Sequence, residues 1–258
     1  MKKSVLIFIV FQCLTVLASG QQVLIVADEI PAMEVLAKAL STQEKMESKI
    51  VLQSEIPGSL ADFDAVVVYI HKDLDPGPEK SFIEYTQNGG KLICLHHSIS
   101  SAKRKNESWF SFLGLDLPKG EAEQGGYKFV GDIDMTVVNL APTHFITTNK
   151  ISYDTIIPYV REGHRKAKEI PGFVLNKTEA FLNHNLHRDM PRTIFLGMTM
   201  QDKNGKIWAQ DRSAWYMRSG KGWVFYSQPG HAVSDFENPV YVRMVLNMIV
   251  FDPDKSKN

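Results

Sequence analysis

Four short stretches of this chain are apolar almost without a break: Val23 to Ala27, Ala65 to Ile70, Leu92 to Leu95, and Trp223 to Ser227 with its closing serine. A strand with one face in water alternates apolar and polar residues, because successive side chains point to opposite faces. These stretches do not alternate. Each therefore reads as a strand buried on both sides, the mark of a parallel sheet covered by helices. Helical signals fall between them. Pro31 opens a stripe of Ala32, Val35, Leu36, Ala39 and Leu40; a second helix spans Pro78 to Asn88 and stops at Asn88-Gly89-Gly90; Asn238-Pro239 opens a last one through Tyr241, Met244, Val245, Met248 and Ile249. Lys49 to Gln53 reads as a further strand, and Thr193 to Met200 and Ser213 to Met217 as additional strands in the second half. Residues 100–190 carry a basic patch (Lys103, Arg104, Lys105) and an aromatic cluster (Trp109, Phe110, Phe112), but no clear boundaries. The expected class is α/β, a parallel sheet with helices on both faces, elaborated by extra strands.

The first twenty residues begin with Lys2 and Lys3, run through an apolar stretch from Val5 to Leu17 and end on Ala18, Ser19 and Gly20. That is the build of a cleavable export signal, with an apolar core shorter than a membrane span needs. The expected organisation is a signal over 1–20, one domain over 21–252 and a short tail over 253–258, exported to the periplasm or beyond, without stable membrane insertion. Once Cys13 leaves with the signal, Cys94 has no partner for an intramolecular disulfide, so the core must supply stability. Lysine plus arginine (29) equals aspartate plus glutamate (29), which leaves no basic footprint for nucleic acid.

In an open parallel sheet, ligands gather at the carboxyl ends of the strands. That rule selects Asp28 and Glu29, His71 to Asp73, and His96 to Ser98 as candidates. His96 and His97 leave a buried strand at a turn, where a side chain is lifted above the sheet edge; capping loop backbone is the competing role. Cys94 lies inside the apolar run, where a thiolate has no support, and reads as structural. His231 follows Gly230 beyond the strand Trp223 to Ser227, with Ser234, Asp235 and Glu237 after it, and fits a general base or a metal ligand as well as a surface loop. Glu179 has apolar neighbours, so it is either an acid with raised proton affinity or an exposed edge residue. His144, His164, His184 and His187 carry no spacing that names a metal.

Three blocks together resemble the trehalose-utilisation (ThuA-like) family of the class I glutamine amidotransferase-like superfamily: "YTQNGGKLICLHHS", "SAWYMRSGKGWVFYSQPGH" and "DFENPVYVRMVLNMIVF". The resemblance implies a flavodoxin-like fold. It places His96 where an amidotransferase holds its nucleophilic cysteine, His231 near that enzyme's histidine, and Glu179 as the acid of "LNKTEAFLN", with Thr178 in place of the usual aspartate and Phe181 in place of tyrosine. The family's histidine block matches either His144 or His164. The resemblance further implies an enzyme of carbohydrate metabolism, here exported, acting on a sugar or keto-sugar glycoside, its partner a small-molecule carbohydrate. His96 and His231 would act as acid/base or metal-binding groups, assisted by His97 and Glu179; Asp28, Glu29, His71 and Trp109 would bind substrate. A divalent metal held by His96, His97 and His231 is open. The alternative is a carbohydrate-binding module without catalysis, with Trp109 stacking on sugar rings. An active glutamine amidotransferase is disfavoured, since no cysteine stands at the turn.

Overall fold

The computed structural model describes residues 22–255. The 1–20 segment read as an export signal, and residues 256–258 of the tail, lie outside the described residues. In chain order the strands are β1 (Gln22–Ala27), β2 (Glu47–Val51), β3 (Ala65–Tyr69), β4 (Lys91–Leu95), β5 (Leu115–Asp116), β6 (Lys128–Asn139), β7 (Thr155–Tyr159), β8 (Lys168–Leu182), β9 (Asn185–Leu186), β10 (Thr193–Gln201), β11 (Ile207–Ser219) and β12 (Gly222–Ser227). The helices are α1 (Ile30–Ala39), α2 (Pro76–Gln87), α3 (Trp109–Leu113), α4 (Phe145–Thr148), α5 (Val233–Glu237) and α6 (Pro239–Val250). Ten strands form one sheet in the order β2-β1-β3-β4-β12-β11-β10-β6-β8-β7, and β5 pairs with β9 separately.

The four apolar runs are β1, β3, β4 and β12, and with β2 they form the parallel half of the sheet. Alternate residues of each run face opposite layers. Val23, Ile25, Val67 and Ile93 pack with Met33 and Leu36 of α1 and with Tyr241 and Val245 of α6. Leu24, Val26, Val68, Leu92 and Cys94 pack on the other side with Phe82 of α2 and Trp109 of α3. Asn238 caps α6 by accepting the backbone N–H groups of Val240 and Tyr241, with proline in the first turn. β12 is the fifth parallel strand, inserted between β4 and β11. Its entry is close: a Cβ on Gly222 would lie 2.2 Å from the Gly90 carbonyl oxygen, so only glycine fits there.

From β12 onward the sheet is antiparallel. The Ser213 to Met217 strand is the end of a much longer β11, and residues 100–190, hard to divide from sequence, contain the long β6–β8 pair. Register shifts in that pair lie between Val130 and Ile133 and between Ile133 and Met135. Inside the first, Asp132 has a left-handed φ of 53°, and on the facing strand Lys177 has the same value. Bulges bend the strand that carries them. β8 lies five places from β4 in strand order, yet Glu179 of β8 approaches the turn that follows β4. Among the described residues no helix is long and apolar enough to cross a membrane.

Candidate functional site: a histidine and carboxylate cluster

β4 ends at Leu95, and the next residue turns sharply. His96 adopts φ 38°, a left-handed conformation that costs a non-glycine residue roughly 1–3 kcal/mol and persists only where the surroundings over-determine it. Those surroundings are visible. The His96 ring is fully buried, Phe181 stacks on it at 4.7 Å between centroids, and the Tyr226 hydroxyl donates to its carbonyl at 3.2 Å. Its Nδ1 lies 2.6 Å from the Gln228 carbonyl oxygen, just beyond β12. A carbonyl only accepts, so Nδ1 carries the hydrogen and Nε2 is turned into the site.

Four side chains meet there: His96, His97, Glu179 and His231 each offer a ligand atom within 4.8 Å of all the others. Glu179 Oε1 is 3.3 Å from His96 Nε2 and 3.4 Å from His97 Nε2, and His231 Nδ1 is 3.2 Å from His96 Nε2. Burial raises the Glu179 carboxyl pKa, but the His96 and His97 imidazoles beside it outweigh that and hold the group well below the usual carboxylate range. Of the two readings open for Glu179, neither describes it: the residue is buried rather than an exposed edge acid, and its carboxyl is held low rather than raised. Burial pushes His97 down to about 3 and lowers His231, so both are neutral imidazoles at neutral pH.

His96 Nε2 thus faces an ionised oxygen and a second imidazole nitrogen together. Two lone pairs at that range repel unless something positive lies between them. Either His96 carries a second proton, which can point at one neighbour only, or a cation is shared by all four groups. Three of the separations, 3.2 to 3.4 Å, suit the second arrangement, and the remaining pairs lie within 4.8 Å. Ligands bonded at about 2.0–2.1 Å in a tetrahedron stand roughly 3.3 Å apart. Three imidazoles and a carboxylate form a donor set suited to a divalent transition metal.

The remaining candidates take varied places. The His71 ring lies 3.8 Å from that of His97, and both its nitrogens are buried without a hydrogen-bond partner, 3.7 Å from Asp28 and 3.5 Å from Glu29. Asp28 accepts the backbone N–H groups of His71 and Lys72, one on each oxygen, and so anchors the loop after β3. Trp109 is also corrected. It is fully buried in the core beside Phe82, its indole N–H donated to the Ser98 carbonyl, so it has no ring face to offer a sugar. Cys94 is fully buried in β4, and burial raises its thiol pKa strongly. His144 caps α4, His164 is exposed in a turn, and neither joins the cluster.

Sequence reasoning missed Lys103. Read as part of a basic surface patch, it is buried, its ammonium donating to the carbonyls of Ile70, His71 and Lys72. It also missed Gln228, whose role lies in its backbone carbonyl and leaves no trace in residue type. A cavity of about 1010 Å³ lined by Ile83, Phe112 and Met190 contains none of the cluster residues. A smaller one, about 520 Å³, is lined by Phe129, Gly131, Asp132, Asp134 and Trp208; Gly131 also borders the cluster, since a Cβ there would stand 3.7 Å from Glu179 Oε2.

Among solved structures, a protein described as ThuA-like from Bacteroides uniformis ATCC 8492 is similar at a TM-score of 0.59 and 14% identity, covering 92% of this chain and 94% of that one. A β-galactosidase from Bacillus circulans sp. alkalophilus is similar at TM-score 0.51 and 7% identity, over 89% of this chain but 30% of that one. An exo-β-1,4-mannosidase from Opitutaceae bacterium strain TAV5 is similar at TM-score 0.51 and 10% identity, over 92% of this chain and 37% of that one. At such identities the likeness is one of fold. A search of curated protein sequences finds no match. The sequence pattern of the ThuA family, described as trehalose utilisation, matches residues 16–251. This chain therefore belongs to the ThuA family, on the glutamine amidotransferase-like fold.

Proposed function

We propose that this protein is a divalent-metal enzyme of carbohydrate metabolism, acting on a sugar or keto-sugar glycoside at the carboxyl ends of β4 and β12. The observation that carries the reading is the convergence of His96, His97, Glu179 and His231, whose ligand atoms all lie within 4.8 Å of one another. A divalent ion held there would act as a Lewis acid on a carbonyl or a pair of neighbouring hydroxyls. The chain's own groups do the rest. His96 is locked by Gln228 with Nε2 facing the site, and Phe181 covers its ring against water. His71, outside the ligand set and with Asp28 and Glu29 3.7 and 3.5 Å from its nitrogens, would exchange a proton with a carbon beside the carbonyl, the step that sugar isomerases and lyases share. A cavity lined by Phe129, Asp132 and Asp134, one of whose walls, Gly131, lies beside Glu179, would offer an aromatic ring and carboxylates to a sugar's faces and hydroxyls. The family's description, trehalose utilisation, supports the carbohydrate part. We also read residues 1–20 as an export signal, which puts the activity outside the cytoplasm; amino-terminal sequencing of the secreted protein checks this.

The test is elemental analysis of the purified protein, followed by turnover of a panel of keto-glycosides with and without chelator. One transition-metal ion per chain is expected, with turnover lost on chelation and restored by the ion. His96→Ala and Glu179→Gln should each weaken metal binding by about 100-fold or more and abolish turnover. Sugar binding without turnover of any member would leave a binding module instead of an enzyme. Full turnover by metal-free protein would remove the metal from the reading.

A further inference from the structure

Asp235, on α5, does not reach the cluster, but it grips two of the segments that build it. One of its oxygens, Oδ2, accepts the backbone N–H of His231 at 2.8 Å, that of Ala232 at 3.3 Å, and the hydroxyl of Thr178 at 2.7 Å. His231 lies on a loop outside the sheet, and Thr178 immediately precedes Glu179 on β8. In the sheet, β8 and β12 are separated by three strands, so no ladder holds those segments in register. The Asp235 carboxylate does so directly. The Tyr69 hydroxyl completes the grip by donating to the His231 carbonyl at 2.8 Å.

The carboxylate is also left short of positive charge. Asp235 is 1% exposed, and its other oxygen, Oδ1, is buried with no hydrogen-bond partner. Among the described residues, no lysine or arginine forms an ion pair with Asp235 or with Glu179, whose ion-pair partners are His96 and His97. A buried carboxylate with no lysine or arginine beside it is a place where a cation is favoured. Two of them beside one cluster match the charge of a dication.

We propose that Asp235 is the positioning and charge-balancing residue of a divalent-cation site formed by His96, His97, Glu179 and His231, with Thr178 as its anchor on β8. This rests on the reading of the cluster as a cation site. It adds that affinity is set by a carboxylate that never touches the ion.

The test is titration of Co²⁺ into metal-free protein, followed by calorimetry and by the visible absorption of the bound ion. The unmodified protein is expected to bind one ion per chain. Asp235→Asn, which keeps the shape and removes the charge, should weaken binding by about 10- to 100-fold, the range typical of outer-shell partners. Thr178→Val should weaken it by about 10-fold and alter the absorption band, and Thr178→Ser should restore both. A loss of packing alone would not be repaired by a hydroxyl on the smaller serine. If Asp235→Asn and Thr178→Val bind Co²⁺ as tightly as the unmodified protein, with the same spectrum, Asp235 has no such role while the cation site stands. If the unmodified protein takes up no Co²⁺, the cation site fails and this proposal fails with it.

Discussion

The turn after β4 presents an imidazole, His96, while the cysteine of the same strand stays in the core. Cys94, two residues upstream, is enclosed in the parallel core with its thiol pKa driven upward, so it should ignore a soluble thiol reagent until the protein unfolds. Cys94→Ser should leave metal content and turnover intact; loss of either would return the cysteine to the chemistry. Lys103 makes a sharper prediction. Burial lowers its ammonium pKa from 10.5 to about 8, so between those values the unfolded chain holds a proton that the folded chain has released. Its contribution to stability therefore rises with pH through that window and is smallest below about 8, a change on the order of 3 kcal/mol. Denaturant titrations from pH 7 to 10 should show the unmodified protein gaining on Lys103→Met as pH rises. A constant difference would mean that the amine is not desolvated.

At the scale of elements, the parallel half was legible in the sequence because burial on both faces writes an unbroken apolar run. Turns that end in Asn88-Gly89-Gly90 or open with Asn238-Pro239 mark the helices with equal clarity. The β6–β8 pair was not legible, for a physical reason. Its strands are bent by extra residues, so the period of two is interrupted, and Glu179 could not be told from an edge acid. His231 and Glu179 could be named as candidates, but their meeting depends on a bend whose signal is a non-glycine left-handed residue at Asp132 and another at Lys177. Deleting Asp132 should straighten the pair and carry Glu179 away from His96. The expected outcome is loss of Co²⁺ binding with far-ultraviolet circular dichroism little changed; retained binding would show that the bulge does not aim the acid. Gly230→Ala attacks the other arm. With φ 110° and a Cβ 2.4 Å from the Tyr241 hydroxyl, it should lower the melting temperature and displace His231.

For the molecule as a whole, the class of fold could be read from composition and pattern, and the four cluster residues could be named as candidates, but not the way they meet, because they come from three distant parts of the chain. The neutral charge balance and the buried free cysteine fit a protein that relies on packing alone. The placement of β12 has a consequence for how such a chain comes into being. Synthesis delivers β1 to β4 early, but the strand that covers the open edge of β4 spans residues 222–227, near the end. Until it arrives, β4 has a bare ladder, and His96 lacks the Gln228 carbonyl that sets its tautomer. A nascent chain therefore has no working half to protect or to misuse. The site is completed only when almost the last residues of the chain have emerged.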